Sequence, residues 1–119
     1  MGTRELGRFG EERAARYLRL RGYRIMETNY SCRSGEIDLI ARRGKYVVFV
    51  EVKLRKSAEF AEAREFVTAA KQQRIRTTAA LWLSQHETEL QPRFDVVEIY
   101  APQGAEGRIT INHIENAFE

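Results

Sequence analysis

The sequence has one cysteine, two histidines, two prolines and no long apolar run. Cys32 cannot form an intrachain disulfide, and so few cysteines and histidines exclude a zinc site built from thiolates and imidazoles. The longest apolar stretch, from Tyr46 to Val50, is far shorter than the roughly 20 residues of a membrane-spanning helix, and the N-terminus alternates in charge, unlike a signal peptide. These absences predict a cytoplasmic protein without membrane contact, in which any metal ion has oxygen ligands.

The composition is that of one globular domain with an arginine-rich surface. The 119 residues suffice for one hydrophobic core, and 43% of them are apolar and 31% charged. We therefore expect a single domain over residues 1–119. Sixteen of the 20 basic residues are arginine, whose planar guanidinium suits phosphate groups better than the point charge of lysine. This bias suggests nucleic acid as the partner, although an arginine-rich surface without any ligand would have the same composition.

The spacing of apolar residues predicts two helices. In residues 4–21 apolar side chains recur every three or four positions, and Gly22 follows where a C-terminal cap is expected. The same spacing returns in residues 66–83. Lys71 interrupts the apolar stripe of this second helix. Its side chain therefore either packs its stem against the core or points into a cleft and contacts phosphate.

Five shorter segments have the composition of strands: residues 23–29, 36–41, 46–53, 93–100 and 108–114. Between them we expect a polar turn over residues 31–35 and a loop over residues 54–65. Strict alternation in the second strand places Asp38 and Ile40 on one face, and Ile37 and Leu39 on the other. The order helix, three strands, helix, two strands predicts an α/β fold, an α+β sandwich with a mixed central sheet flanked by helices.

Two charged residues end the most apolar of these strands. Val47, Phe49, Glu51 and Lys53 share one face, so the charges continue an apolar face at the C-terminal end of the strand. A strand that merely bordered solvent would alternate polar and apolar residues along its whole length. Open α/β sheets hold their functional sites at the carboxyl ends of strands. We therefore expect Glu51 and Lys53 to belong to a site.

Asp38 is the candidate partner of these two residues. It precedes Glu51 by thirteen positions, and in an antiparallel hairpin the two carboxylates would lie side by side. Two carboxylates with open water positions suit magnesium or manganese, while Lys53 would orient or deprotonate an attacking water or stabilise the charge of the pentavalent phosphorus. The alternative is an ion pair in which Lys53 neutralises both acids without a metal. Residue spacing alone does not decide between them.

Two motifs resemble a known nuclease superfamily. The first runs from Gly35 to Ile40 (GEIDLI) and the second from Val48 to Lys53 (VFVEVK). Together they resemble the PD-(D/E)xK nucleases and, more closely, the YraN-like proteins of bacteria. The resemblance extends to Gly10-Glu11 in the first helix and to the segment from Arg93 to Val97. It therefore covers nearly the whole chain.

The resemblance implies a restriction-endonuclease-like core, similar to that of archaeal Holliday-junction resolvases. It implies that Asp38 and Glu51 bind Mg²⁺ or Mn²⁺, that Lys53 is the catalytic lysine and that Glu11 is a further acid from the first helix. Helical spacing favours Glu11 over Glu12, because Glu11 lies at the edge of the apolar stripe. The alternative for Glu11 is a first-turn carboxylate that the helix dipole stabilises.

Basic residues near the motifs are candidates for phosphate contacts. Arg55 lies on the same face as the catalytic lysine if the strand continues, and Arg33 and Lys71 complete the predicted nucleic-acid-binding set. Glu36 is either a further acid of the site or the partner of Arg33 or Arg55. Asp95 is expected to pair with an arginine or to cap a turn.

These features favour a metal-dependent endonuclease that hydrolyses DNA phosphodiester bonds, on branched or damaged DNA. Cleavage of both strands would be simplest for a homodimer. The alternative is a nucleic-acid-binding module with a nuclease-like fold and no activity. A third hypothesis is a subunit that depends on a protein partner, for which an exposed apolar patch around Trp82 would be the sign.

Overall fold

The computed structural model describes residues 3–55, 67–104 and 106–119. In this part of the chain the elements are α1 Thr3–Leu20, β1 Arg24–Cys32, β2 Gly35–Arg43, β3 Tyr46–Arg55, α2 Ala69–Gln85, β4 Gln91–Tyr100 and β5 Thr110–Phe118. The strands form a five-stranded sheet in the order β1-β2-β3-β4-β5. Strands β3 and β4 run parallel and the other neighbours are antiparallel, so the predicted mixed sheet is confirmed.

Helix α1 covers one face of the sheet. Its buried residues Ala14 and Leu18 pack against Leu39 of β2 and against Val48 and Val50 of β3. The helix ends at Leu20, and Gly22 follows with a φ of +90°, a conformation that favours glycine. The predicted C-terminal cap is therefore confirmed, and the chain turns directly into β1.

Helix α2 covers the opposite face. Its buried residues Ile75, Ala79 and Trp82 pack against Val47 and Phe49 of β3. Residue 66, the predicted start, lies outside the described residues, but the helix begins later than predicted, at Ala69, because Thr68 caps its N-terminus. The helix continues to Gln85, two residues beyond the predicted end. With one helix on each face of the sheet, the predicted α+β sandwich is confirmed. Neither of the two described helices is long and apolar enough to cross a membrane.

Trp82 is part of the core and not of an exposed patch. It is 1% exposed, and its ring NH donates a hydrogen bond to Glu27 Oε1 at 3.1 Å. Its ring also meets Phe49 edge-on, with 5.8 Å between centroids. The observation that would favour a partner-dependent subunit, an exposed apolar patch around Trp82, is therefore not found at Trp82 itself, because the helical stripe that contains this residue faces the sheet.

The strands are longer than the sequence pattern predicted. Strand β1 continues through Cys32, so the turn predicted over residues 31–35 shrinks to residues 33–34. Strand β3 continues through Arg55, and residues 56–65 of the predicted loop lie outside the described residues. Strand β4 begins at Gln91 instead of residue 93, and β5 spans Thr110–Phe118 instead of residues 108–114. Backbone pairing with neighbouring strands extends these elements over polar residues, which carry no alternation signal.

Strands β2 and β3 separate at one position. Their last paired residues are Leu39 and Val50. At the next position the side chain of Asp38, and not its backbone, bonds to β3: Asp38 Oδ2 accepts a hydrogen bond from Val52 N at 2.8 Å. Ile37 then packs in the same cluster as Ile40. The prediction that Ile37 shares a face with Leu39 is therefore wrong, because strict alternation ends at Asp38.

Candidate active site

A cleft of about 180 Å³ opens where β2 and β3 separate, beneath the first turns of α2. Its residue on β3 is Glu51, in the carboxyl-terminal half of that strand, and the parallel pairing of β3 with β4 continues beyond it to Arg55. The residues that line it are Gly35, Glu36, Asp38, Glu51, Lys71, Arg74 and Ile75. The structure thus brings the two predicted metal ligands, Asp38 and Glu51, into one cleft.

Gly35 lets α2 approach the cleft closely. A Cβ atom at this position would lie 3.1 Å from Thr78 Oγ1 and 3.5 Å from Arg74 Cβ. A contact of 3.1 Å is tighter than about nine in ten real contacts of a Cβ atom, so with a larger residue the Thr78 side chain would have to shift by a few tenths of an ångström. The glycine of the GEIDLI motif therefore allows β2 to lie close to the helix that carries Lys71.

Asp38 is an acid with an unusually high proton affinity. Burial, followed by the negative charge of Glu51, raises the pKa of Asp38 from 3.8 to about 7. Glu11 and Glu36 add smaller contributions in the same direction, while the hydrogen bond from Val52 N opposes the rise. Lys71 is close enough for the charge of Asp38 to raise the lysine's pKa, but the pKa of Asp38 itself stays high, and a bound cation would stabilise this carboxylate further.

Glu51 is 8% exposed and contacts two lysines. Its Oε1 lies 2.6 Å from Lys71 Nζ and 3.4 Å from Lys53 Nζ. Of the two directions considered for Lys71, the structure therefore shows the one that points into the cleft. The alternative for Lys53 was an ion pair with both acids. Lys53 does form an ion pair with Glu51, but Lys71 lies closer to Glu51 than Lys53 does.

The two lysines differ in proton affinity. Burial and the neighbouring Lys71 lower the pKa of Lys53, although Glu51 partly offsets this effect. Burial also acts to lower the pKa of Lys71, but the contacts with Glu51 and Lys53 and the negative charges of Glu51 and Asp38 together outweigh burial and raise that pKa above the usual value. Environments that separate the pKa values of neighbouring groups assign them different roles. Lys53 is the better proton acceptor, and Lys71 is the better permanent cation.

Glu11 lies in a neighbouring groove and not in the cleft. This groove, between α1 and β1, also contains Arg8, Arg19 and Thr28. Because α1 begins at Thr3, Glu11 lies beyond the first turn of the helix, and the alternative of a first-turn carboxylate is wrong. Glu11 is close enough to raise the pKa of Asp38, so the two acids interact electrostatically. Its role as a further acid of the site stays a prediction.

The other two predicted basic residues, Arg33 and Arg55, are not among the residues that line the cleft. Arg33 is exposed, in the turn between β1 and β2. Arg55 is half-buried and is the last residue of β3. The strand therefore continues as far as Arg55, which was the condition for Arg55 to lie on the same face as Lys53. Glu36 is exposed and lines the cleft, which agrees with a further acid at the site.

Glu98 is a buried acid near the site that the sequence interpretation missed. It pairs in register with Lys53 across the parallel strands and is fully buried. Its carboxylate accepts hydrogen bonds from Tyr100 Oη at 2.5 Å and Asn112 Nδ2 at 2.7 Å, and its Oε2 lies 3.9 Å from Arg55 Nε. The available signal was a lone acid in an apolar run, the pattern that had identified Glu51.

Asp95 forms the predicted pair with an arginine. Its two carboxylate oxygens lie 2.9 Å from Arg93 Nε and 2.8 Å from Arg93 Nη2, and it also contacts His113 Nε2 at 2.7 Å. Although burial acts in the opposite direction, these hydrogen bonds lower the pKa of Asp95. Asp95 is therefore a neutralised structural acid, in contrast to Asp38.

The donor set of the cleft fits a hard divalent cation. Asp38 and Glu51 offer carboxylate oxygens, and among the described residues no group of three His, Cys, Asp or Glu side chains is placed to hold a metal ion. Magnesium is commonly bound by one or two carboxylates and keeps several waters, whereas zinc prefers nitrogen and sulfur ligands. Two carboxylates in an open cleft therefore suit Mg²⁺ or Mn²⁺.

Residues 10–99 match the model of the uncharacterised protein family UPF0102. The UPF0102 protein of Symbiobacterium thermophilum is 47% identical over 117 residues, which cover 98% of this chain and 98% of the relative. The UPF0102 protein of Renibacterium salmoninarum is 46% identical over 106 residues, or 88% of this chain and 90% of the relative. That of Caldicellulosiruptor saccharolyticus is 41% identical over 119 residues, or 99% of this chain and the whole relative.

These matches confirm the resemblance to YraN-like proteins at the level of the family. The names of the three relatives state no activity, so membership of the nuclease superfamily stays a prediction. The family model spans the cleft residues from Gly35 to Arg74 and the buried acids of β4. With this match and the three relatives, the chain belongs to the UPF0102 family.

Proposed function

We propose that the chain is a metal-dependent endonuclease of the PD-(D/E)xK type that hydrolyses DNA phosphodiester bonds. The observation that carries this proposal is the meeting of Asp38 and Glu51 in one cleft, with Lys53 in contact with Glu51. The burial of Asp38, and after it the neighbouring charge of Glu51, raise the free energy of the metal-free fold when Asp38 is ionised, as the pKa of Asp38 indicates. A bound cation would relieve this cost and supply the chemistry.

In this function Asp38 and Glu51 would hold Mg²⁺ or Mn²⁺. Such a cation, when bound, polarises the phosphate and makes water a better nucleophile. Lys53, with its lowered pKa, accepts a proton from the attacking water or orients that water. Lys71 keeps its proton and offers a positive charge to the phosphate.

Arg55 adds a positive charge on β3, two residues beyond Lys53. Glu98, held by Tyr100 and Asn112, fixes the position of the guanidinium. A guanidinium can contact two phosphate oxygens at once. One cleft cuts one strand, so cleavage of both strands calls for a second copy of the chain.

A second candidate is a nucleic-acid-binding module without catalysis. The observation that favours it is the distance of 2.6 Å between Lys71 Nζ and Glu51 Oε1. At this distance the lysine itself neutralises the acid, and a metal ion is not needed for charge balance. This module would bind nucleic acid with a steep salt dependence and would leave it intact in any metal.

The test is a cleavage assay with labelled single-stranded, duplex, flap and four-way-junction DNA in Mg²⁺, Mn²⁺ or EDTA. We expect cleavage of at least one substrate in metal and none in EDTA. Glu51→Gln should be inactive, whereas Glu87→Gln, which changes an exposed acid after α2, should keep full activity. Binding without cleavage by the unsubstituted chain, in every metal and on every substrate, would establish the binding module instead.

Lys71→Met should tighten metal binding while it slows cleavage. The substitution removes the cation that competes with a metal ion for Glu51 and keeps an apolar stem of similar length. We expect the Kd for Mn²⁺ to fall by roughly threefold to tenfold, measured by calorimetry. Lys45→Met, which removes an exposed lysine from the β2–β3 turn, is the matched control and should leave this Kd unchanged. A Kd that rises in Lys71→Met would show that metal and lysine do not compete.

A further inference from the structure

Five cations cluster at the end of the sheet opposite the cleft. We call this group the basic end: Arg21, Arg24, Arg42, Arg43 and Lys45. Arg24 and Arg42 face each other in the register of β1 and β2, and Arg43 and Lys45 lie at the turn into β3. A Cβ atom at Gly22 would lie 3.8 Å from Arg43 Nε, so the turn after α1 meets the turn after β2. All five side chains are exposed.

Tyrosine rings, and not carboxylates, hold three of these cations in place. The Arg43 guanidinium lies 5.3 Å from the ring centre of Tyr23, and Lys45 Nζ lies 5.3 Å from that of Tyr46. The Arg21 guanidinium stacks in the same way on Tyr17, at 5.0 Å.

No described carboxylate forms an ion pair with any member of the basic end. A neutral ring positions a cation without cancelling its charge. Arg93, in the same region, differs from the basic end because its charge is neutralised by an ion pair with Asp95. The basic end therefore presents ordered positive charge to an anionic partner.

We propose that the basic end binds the phosphate backbone of a DNA molecule that is also held in the cleft. Tyr46 and Glu51 are five residues apart on β3, so about 17 Å separates the two regions along the strand. Base pairs in a duplex rise about 3.4 Å each, so this distance corresponds to roughly five steps. DNA that enters the cleft is thus long enough to reach the basic end.

Arginine content favours nucleic acid over a lipid surface as the partner. Four of the five cations are arginines, whose fork of N–H donors matches the oxygens of a phosphodiester. Leu20 is 78% exposed beside Arg21, and an apolar side chain next to cations is also a feature of surfaces that bind anionic membranes. The experiment therefore includes anionic vesicles as a separate arm.

The experiment measures DNA binding in EDTA, so it needs no cleavage. The longest dimension of the protein, 42 Å, spans about 12 base pairs. The probe is a fluorescein-labelled duplex of about twice this length, followed by anisotropy across a range of NaCl concentrations. The variant Arg42→Gln/Arg43→Gln/Lys45→Gln should reduce the slope of log Kd against log salt by about 2 to 3, because each phosphate contact contributes about 0.9. Near 0.1 M salt we expect affinity to fall by roughly tenfold or more.

The matched control is Arg4→Gln/Arg16→Gln/Arg108→Gln, which removes three exposed arginines elsewhere. It should change the slope by less than one. Equal effects of both triple variants, or an unsubstituted chain that does not bind the duplex, would overturn the proposal. So would a triple variant of the basic end that binds DNA normally but no longer binds vesicles of phosphatidylcholine and phosphatidylserine.

Arg24→Gln provides a second variant should the triple variant fail to fold. Arg24 is exposed, and its replacement should still reduce the slope by about one. An unchanged slope for this folded variant would also count against the basic end. The choice of DNA as the ligand rests on the proposed function, but the experiments distinguish the failure of this proposal from the failure of the proposed function. Salt-dependent binding through the basic end without cleavage in any metal would refute the nuclease alone.

Discussion

Replacing Lys53 with alanine should lower the single-turnover rate of DNA cleavage about 10²- to 10⁴-fold, the usual contribution of a general acid or base. The reason is the environment of Lys53, where burial and the positive charge of Lys71 lower the pKa of the amine. A larger share of Lys53 is therefore neutral near pH 7 than for an exposed lysine. The measurement is a time course at saturating protein and metal.

Lys53→Arg separates proton transfer from charge. Arginine keeps the positive charge but does not release its proton near neutral pH. If Lys53 accepts a proton, Lys53→Arg should be as slow as Lys53→Ala, and the unsubstituted rate should rise with pH until the amine is neutral. Lys71→Arg is the contrasting control and should keep most of the activity, because Lys71 acts by its charge. An active Lys53→Arg variant would make Lys53 an electrostatic group only.

Asp38→Asn should stabilise the metal-free protein at pH 8 by on the order of 1 to 3 kcal/mol. The folded-state pKa of Asp38, about 7, lies above the ordinary value of 3.8. The contribution of Asp38 to stability is therefore fully present below about pH 4 and is lost as the pH rises through 7. Asparagine keeps an oxygen for the hydrogen bond from Val52 N and carries no charge to bury. Urea unfolding in EDTA should show the gain at pH 8 and a much smaller difference at pH 5.

In the presence of Mg²⁺ the unsubstituted chain should be more stable than Asp38→Asn, the reverse of the order in EDTA. Mg²⁺ that binds only the folded, unsubstituted chain stabilises it further as the metal concentration rises, whereas Asp38→Asn has lost a ligand and should gain little. Asp95→Asn is the matched control, because the pKa of Asp95 is lowered and not raised. It leaves Arg93 without its partner and should destabilise the protein at pH 8. A destabilised Asp38→Asn in EDTA at pH 8 would show that the Asp38 carboxylate is already neutralised.

The sequence predicts those parts of the site that depend on local pattern. The apolar run that ends in Glu51 and Lys53 identified the central strand and the face that carries both charges, and the structure confirms that shared face. Asp38 was expected beside Glu51 because a short hairpin connects their strands, and the same cleft contains both. Alternation within one strand and a nearby turn are sufficient for these inferences.

The remaining features of the site depend on contacts between residues far apart in the sequence, which local sequence patterns do not specify. The direction of Lys71 depends on how closely α2 approaches β2, which Gly35 and Thr78 decide. Glu98 is placed next to Lys53 by the parallel register of β3 and β4, and nothing in the sequence around either residue specifies that register. The break in alternation at Ile37 comes from a hydrogen bond between a side chain and the backbone of another strand.

The point where β2 and β3 separate also has a consequence for the order of folding. Asp38 and Glu51 belong to one hairpin with a two-residue turn, so a short loop closure brings the two carboxylates together. Lys71 arrives with α2, and the parallel pairing that begins with Tyr46 and Gln91 must close a loop of more than forty residues. Local contacts form faster than such distant ones. In the order that sequence separation favours, the two acids therefore meet before Lys71 arrives to neutralise Glu51.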